Sequence, residues 1–205
     1  MNDMYYYENL AKQNGHHFIC GIDEAGRGPL AGPVFAAAVI LPENCTIEGI
    51  NDSKKLTPKK RSMLFDKITA GAVAYGIGFA TEKEIDEVNI LQATFRAMKR
   101  AFDKLGVTPD LAIVDGNRMP SLGVETQTIV KGDALSASIA AASILAKVSR
   151  DRLMEQVDKI YPQYGFAKHK GYGTAYHIEM LKKHGPCPVH RRTFLKKILG
   201  EGSSV

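Results

Sequence analysis

The chain has 205 residues, of which 44% are hydrophobic and 24% charged, and carries a net charge of +5. This balance excludes disordered, collagen-like and fibrous classes and fits one compact domain with a C-terminal extension. The longest charge-free stretches, residues 29–42 and 68–81, are shorter than the ~18 apolar residues a membrane span needs, so no membrane association is expected.

The opening MNDMYYYENLAKQNGHH is polar and lacks a basic start with an apolar run behind it, so no secretory signal is expected and the expected location is cytoplasmic. Residues 17–23 and 34–41 are apolar, β-compatible runs. The intervening GRGPLAGP holds two prolines and three glycines, which forbid a continuous helix or strand. Thr57 followed by Pro58 starts a helix that Leu64 and Ile68 carry to about Ala70. Residues 72–80 read as a third strand, and Thr81 with Glu84 is a capping-box signature for the helix that follows. Leu91, Phe95, Met98, Phe102 and Leu105 step by four and three, placing all five on one helical face that Gly106 closes. Residues 111–115 and 126–131 read as strands, 135–160 as a long alanine-rich helix, 174–184 as a helix ended by Gly185, and 191–199 as a last short helix. The order predicts an α/β fold with a helical C-terminal region. Cys20, Cys45 and Cys187 are odd in number and show no C-x-x-C spacing, which fits free thiols in a reducing compartment.

Charge is unevenly spread. From Lys168 to Lys197 there are eight basic residues against Glu179 alone, +7 locally, which leaves −2 on the rest. Such a basic segment on a near-neutral body suits a protein that holds a polyanion against an acidic site, although a solvated helix face would look the same. The acidic site has candidates. Asp23 and Glu24 follow the first strand, Asp115 ends a central one, and Asp133 opens the long helix. Singly they read as turn, cap or loop residues. Brought together they would repel one another unless a divalent cation sat among them, and all-oxygen ligands suit Mg²⁺ or Mn²⁺.

In order along the chain, GIDEAGRGPLAGPV, NDSKKL, NILQAT, IVDGN, KGD, SIAAASILAKVSRD, YPQYGFAKHKGY and HRRTF resemble the serial motifs of ribonuclease HII, over about Gly21 to Phe194. The resemblance implies a ribonuclease H-like mixed sheet flanked by helices, with residues 1–165 as catalytic domain and 166–205 as a basic helical region packed on it. It implies a two-metal endonuclease that hydrolyses the RNA part of RNA–DNA hybrids. DNA duplexes with single embedded ribonucleotides are included, cut on the 5′ side of the ribonucleotide to leave a 3′-hydroxyl and a 5′-phosphate. A preference for long hybrids, or a nucleic-acid-binding module without catalysis, are the alternatives. Matched motif to motif, the catalytic and metal-holding carboxylates are Asp23, Glu24, Asp115 and Asp133. Adjacent strand residues face opposite ways, so the strand is expected to end or bulge between Asp23 and Glu24. Asp115 is expected to join Asp23 in holding both ions, and Asp133, at a helix start, to be the replaceable one.

The same resemblance assigns Gly26, Arg27 and Gly28 to the ribose 2′-hydroxyl and Tyr172 to the neighbouring deoxyribose, a rational arrangement because the 2′-hydroxyl is what separates RNA from DNA. Asn51, Ser53, Lys54, Lys55, Asn89, Gln92, Ser143 and Lys147 are assigned to the nucleic-acid backbone. Arg191 and Arg192 are expected to hold the duplex flank, in a salt-dependent way. A dinucleotide-binding reading of Gly26, Gly28 and Gly32 fails because Pro29 and Pro33 prevent the required helix. His184, Cys187 and His190 lack a fourth ligand for zinc, and His16-His17 reads as surface or core filler. The tail EGSSV has no aromatic docking pair, so no clamp-binding motif is expected there, and the chain is expected to be a monomer.

Overall fold

The computed structural model describes residues 3–43, 45, 47–50, 53 and 56–200. Asn51, Lys54, Lys55 and the tail at 201–205 therefore lie outside the described residues. The strands are β1 (Ile19–Ala25), β2 (Val34–Ile40), β3 (Ala74–Ala80), β4 (Leu111–Asp115) and β5 (Glu125–Ile129). They form one mixed sheet in the order β3-β2-β1-β4-β5. β1 pairs antiparallel with β2 and parallel with β4, while β2–β3 is antiparallel and β4–β5 parallel.

All seven residues of β2, VFAAAVI, are buried, because helices cover both faces of the sheet. Val34, Ala36, Ala38 and Ile40 pack with Ala93, Ala97, Met98 and Ala101 of α3 (Glu82–Asp103). Ala37 and Val39 pack with Leu64 and Ile68 of α2 (Pro58–Gly71) and Ala141, Ile144 and Leu145 of α4 (Ala137–Ile160). A Cβ at Gly21 on β1 would lie 2.2 Å from the backbone of Ser138, so only glycine lets the first turn of α4 rest on the strand. That contact holds the start of α4 beside the carboxylates at the end of β1.

Both capping predictions hold: Thr57 accepts from Lys60 N, and Thr81 and Glu84 form a reciprocal box at the start of α3. α3 contains one break that periodicity does not reveal. Asn89 has φ 71°, and its Oδ1 accepts from Leu91 N and Gln92 N, restarting the helix. The N-terminal α1 (Tyr6–Gln13) was not expected from its polar sequence. It is tied down by Glu8, whose Oε1 accepts from Ser136 Oγ, Ser138 N and Ser138 Oγ. Downstream of α4 come the short α5 (Phe166–His169), α6 (Ala175–His184) and α7 (Arg192–Leu199). Tyr164, Phe166, Leu181 and Leu195 pack there with Leu30 and Ala31 of the GRGPLAGP loop and with Met154 of α4. Among the described residues no helix is long and apolar enough to cross a membrane.

Candidate active site

β1 and β4 run parallel in register, with Ile22 opposite Val114, so their carboxyl-terminal ends bring Asp23 and Asp115 side by side. Asp133 reaches them from a 3₁₀ turn, Gly132–Ala134, rather than from a helix cap. The cap of α4 is Ser136, whose hydroxyl accepts from Ile139 N at 3.2 Å. The turn starts at Lys131 in left-handed geometry (φ 60°), and Gly132 N donates to Asp115 Oδ1 at 2.6 Å, tying it to the end of β4. Asp23, Asp115 and Asp133 each place a carboxylate oxygen within 4.8 Å of the others.

The expected break between Asp23 and Glu24 is absent. Pairing with β2 runs unbroken through Asp23–Ala37, Glu24–Ala36 and Ala25–Phe35, because the antiparallel neighbour continues past the site. Glu24 lies outside the common 4.8 Å cluster of the trio, with Oε1 3.2 Å from Arg27 Nη1, yet close enough to Asp23 for its charge to act on that carboxyl. It still lines the same cavity of about 220 Å³ as Asp23 and Asp115. Burial pushes the Asp23 carboxyl well above its usual pKa, and Glu24 and Asp115 push it further, against hydrogen bonds from Ser143 and from Glu24 N–H. A buried carboxylate crowded by two others is the donor set that a hard divalent cation would relieve, so the residues fit such an ion.

The loop beside the trio is held by two buried arginines that sequence reasoning placed elsewhere or overlooked. Arg191 was expected at the duplex flank. Its guanidinium instead has no exposed surface, and donates from Nε to Gly32 O (2.9 Å), Nη1 to Arg27 O (2.9 Å) and Nη2 to Gly26 O (2.6 Å). Burying a cation requires several such partners, which only a folded loop's carbonyls supply here. Arg150 on α4 donates to Pro33 O (3.0 Å), Lys170 O (2.9 Å) and Ala31 O (3.0 Å). Glu82 lies close enough to both arginines for their charge to oppose its burial-raised pKa. The peptides are trans, so carbonyls of Gly26 and Arg27 aimed at Arg191 turn the N–H groups of Arg27 and Gly28 the other way. A Cβ at Gly26 (φ 97°) would lie 2.0 Å from Arg150 Nε, which makes glycine obligatory there.

A family model described as ribonuclease HII matches residues 20–197. The chain belongs to the ribonuclease HII family. It is therefore a ribonuclease H, a phosphodiester hydrolase acting on RNA–DNA substrates. It is 57% identical to the ribonuclease HII of Acetivibrio thermocellus, over 96% of this chain and 77% of that one. With the ribonuclease HII of Caldicellulosiruptor bescii it shares 56% identity, over 96% and 97% of the two chains. The crystal structure of the ribonuclease H2 from Pyrococcus horikoshii superposes with a TM-score of 0.74 at 31% identity, covering 90% of this chain and 98% of that one.

The other residues that the ribonuclease HII motifs singled out divide by position. Gly26, Arg27, Gly28, Ser53, Ser143, Lys147 and Tyr172 all line the carboxylate cavity. Ser53 and Ser143 are buried, with hydroxyls 2.8 Å apart, and Ser143 also hydrogen-bonds Asp23. Lys147 Nζ is 2.8 Å from Asp151 Oδ1. Tyr172 is 46% exposed, and the Gly28 Cβ position lies 3.6 Å from its ring. Asn89 and Gln92 are outside that cavity, and the Asn89 side chain is committed to its own helix start. Arg192 is exposed, while its N–H caps α7 onto Asp86 Oδ2 at 2.8 Å.

Proposed function

We propose that this ribonuclease H cuts on the 5′ side of a ribonucleotide in a duplex, including a single one embedded in DNA, and leaves a 3′-hydroxyl and a 5′-phosphate. The observation that carries the reading is the convergence of the Asp23, Asp115 and Asp133 oxygens at the mouth of a loop whose Arg27 and Gly28 N–H groups are turned away from Arg191. Asp23, Asp115 and Asp133 hold two divalent ions, Mg²⁺ or Mn²⁺, with Glu24 completing the set from the cavity wall. When bound, such ions supply Lewis-acid activation of the attacking water and stabilise charge on the leaving 3′-oxygen. In the Gly26-Arg27-Gly28 segment the N–H groups of Arg27 and Gly28 are presented beside glycines that leave room for close approach, which suits a ribose 2′-hydroxyl. The Tyr172 ring over Gly28 supports packing on the following deoxyribose, where a second 2′-hydroxyl would be crowded. Ser143 keeps Asp23 oriented. Residues 1–165 form the catalytic body and 166–205 the basic region that braces the loop and meets the duplex, through exposed groups such as Arg192 and Lys168. A monomer in the cytoplasm is the form in which we expect it to act.

The test is cleavage of a DNA duplex carrying one ribonucleotide, beside a continuous RNA–DNA hybrid, in Mg²⁺, in Mn²⁺ and in chelator. A single nick 5′ to the ribonucleotide that disappears with chelator is the expected result. Cutting of the hybrid alone would discard the junction reading and keep the ribonuclease H. Tyr172→Ala is expected to lose at least about tenfold in kcat/KM on the single ribonucleotide, since a misplaced sugar costs alignment at the phosphate. Unchanged kinetics on that substrate would remove the ring from the site.

A further inference from the structure

Tyr172 sits between Gly171 and Gly173, and local main-chain bonds hold it, Tyr172 N donating to His169 O (3.0 Å) and Thr174 N to Tyr172 O (2.9 Å). Buried histidines add to that fastening. His177 on α6 is fully buried and His190 is 2% exposed, and neither takes part in the chemistry described above. His177 Nδ1 lies 2.9 Å from Tyr172 O, His177 Nε2 lies 3.0 Å from His190 Nε2, and Cys187 N donates to His190 Nδ1 at 2.9 Å. A backbone N–H can only donate and a carbonyl can only accept, so Tyr172 O calls for the proton on His177 Nδ1, and His190 Nδ1 accepts from Cys187 N rather than donating to Cys187 O, which is farther at 3.3 Å; His190 carries its proton on Nε2. One proton then fills the 3.0 Å gap between the rings. His177 Nε2 must accept it, which leaves the His177 proton on Nδ1, pointing at the Tyr172 carbonyl. The chain of donors runs in one direction, from Cys187 N–H through both rings to Tyr172.

A third ring completes the fastening. His169 stacks on His177, with centroids 4.5 Å apart, and its Nδ1 accepts from Gly171 N at 3.2 Å. The main chain is thus held on both sides of Tyr172. A proton added to His177 would set its Nε2–H against His190 Nε2–H across the gap, and one added to His190 would set its Nδ1–H against Cys187 N–H. Burial pushes the pKa of both histidines down, that of His190 to about 4, with the charges of His177 and Arg192 acting the same way on His190.

We propose that His177 and His190 form a neutral imidazole relay that fixes the main chain of Tyr172 and thereby sets how well this enzyme distinguishes a lone ribonucleotide junction from continuous hybrid. The proposal deepens the reading of Tyr172 given above and rests on it. His177 and His190 are positioning residues: they touch no substrate. Their effect should appear in kcat for the junction substrate, where the ring's placement matters, rather than in KM for hybrid.

The experiment measures kcat and KM on both substrates for the wild type, His177→Leu, His177→Asn and Tyr172→Ala. His177→Leu fills the space without a donor, and we expect the ratio of kcat/KM, junction over hybrid, to fall at least about tenfold. His177→Asn places an amide N–H near the position of Nδ1–H and is expected to recover most of that ratio. Should Tyr172→Ala lower the ratio while a folded His177→Leu keeps it, the relay is wrong and the Tyr172 reading stands. Should Tyr172→Ala keep the ratio, the Tyr172 reading and the relay's tie to specificity both fall. Nitrogen NMR of the unmutated protein decides independently of whether variants fold. At pH 7 it should show the Nδ1–H tautomer for His177 and the Nε2–H tautomer for His190, and the reverse pair, or an imidazolium, would overturn the proposal.

Discussion

Asp23→Asn is expected to lower kcat by at least about 10³-fold while raising the melting temperature of the metal-free protein. The two effects have one cause. Asp23 is 4% exposed, and burial together with Glu24 and Asp115 already makes its charged form unfavourable. An amide of the same shape relieves that repulsion, and each kcal/mol regained raises the midpoint by about 2–4 °C in a chain of this size. The amide also gives up one anionic ligand of a cation that contributes several kcal/mol to the transition state, and about 4 kcal/mol corresponds to 10³-fold in rate. Single-turnover cleavage in Mg²⁺ and thermal melting in chelator check both halves. A variant that is slow and also less stable than the wild type in chelator would mean that Asp23 serves the fold and not an ion.

Arg191→Lys is expected to cost about 3–5 kcal/mol of stability, the range for breaking a buried charged network, despite keeping the charge. Lysine cannot reach Gly32 O, Arg27 O and Gly26 O together, because the three acceptors match a planar fork and not a single ammonium. At least two of these carbonyls would lose their donors, each loss costing about 1–3 kcal/mol where the carbonyl is shielded from water. The midpoint should fall by about 6 °C or more, and cleavage should weaken as the Gly26–Gly28 peptides lose their orientation. Melting curves and kcat measured on the folded fraction test this. If Arg191→Lys matched the wild type in both, Arg191 would be a charge that any cation can replace, as a flank contact would be.

Much of the site was legible in the sequence because its carboxylates sit where strands end. Asp115 closes β4 as expected, and Asp23 lies at the carboxyl end of β1, two residues short of where that strand stops. The position of Asp133 was readable and its local structure was not. The KGD segment looks like a helix cap, whereas Ser136 takes that role and leaves Asp133 free of it, in the turn that Gly132 ties to Asp115. The uninterrupted pairing through Asp23 and Glu24 was hidden too, because whether a strand bulges depends on what its neighbour does, here β2 continuing to Val34. Arg150 and Arg191 gave no local sign of burial. Both stand among other basic residues, and charge is surface by default.

By itself, then, the sequence determined what short-range physics governs. The Thr81–Glu84 box, the all-apolar run of β2 and the alanine-rich α4 follow from residue types and hydrogen bonds within a few positions of one another, whereas the buried face of α3 runs through Ala93, Ala97, Met98 and Ala101 rather than along the Leu91 to Leu105 stripe. Only the tertiary structure decided the fate of groups whose partners lie far along the chain. Arg191 finds Gly26 O across 165 residues, Arg150 finds Ala31 O across 119, and Glu8 finds Ser138 across 130. A buried polar group is settled by whichever donors or acceptors the fold delivers to it, and no local pattern encodes which distant backbone will arrive.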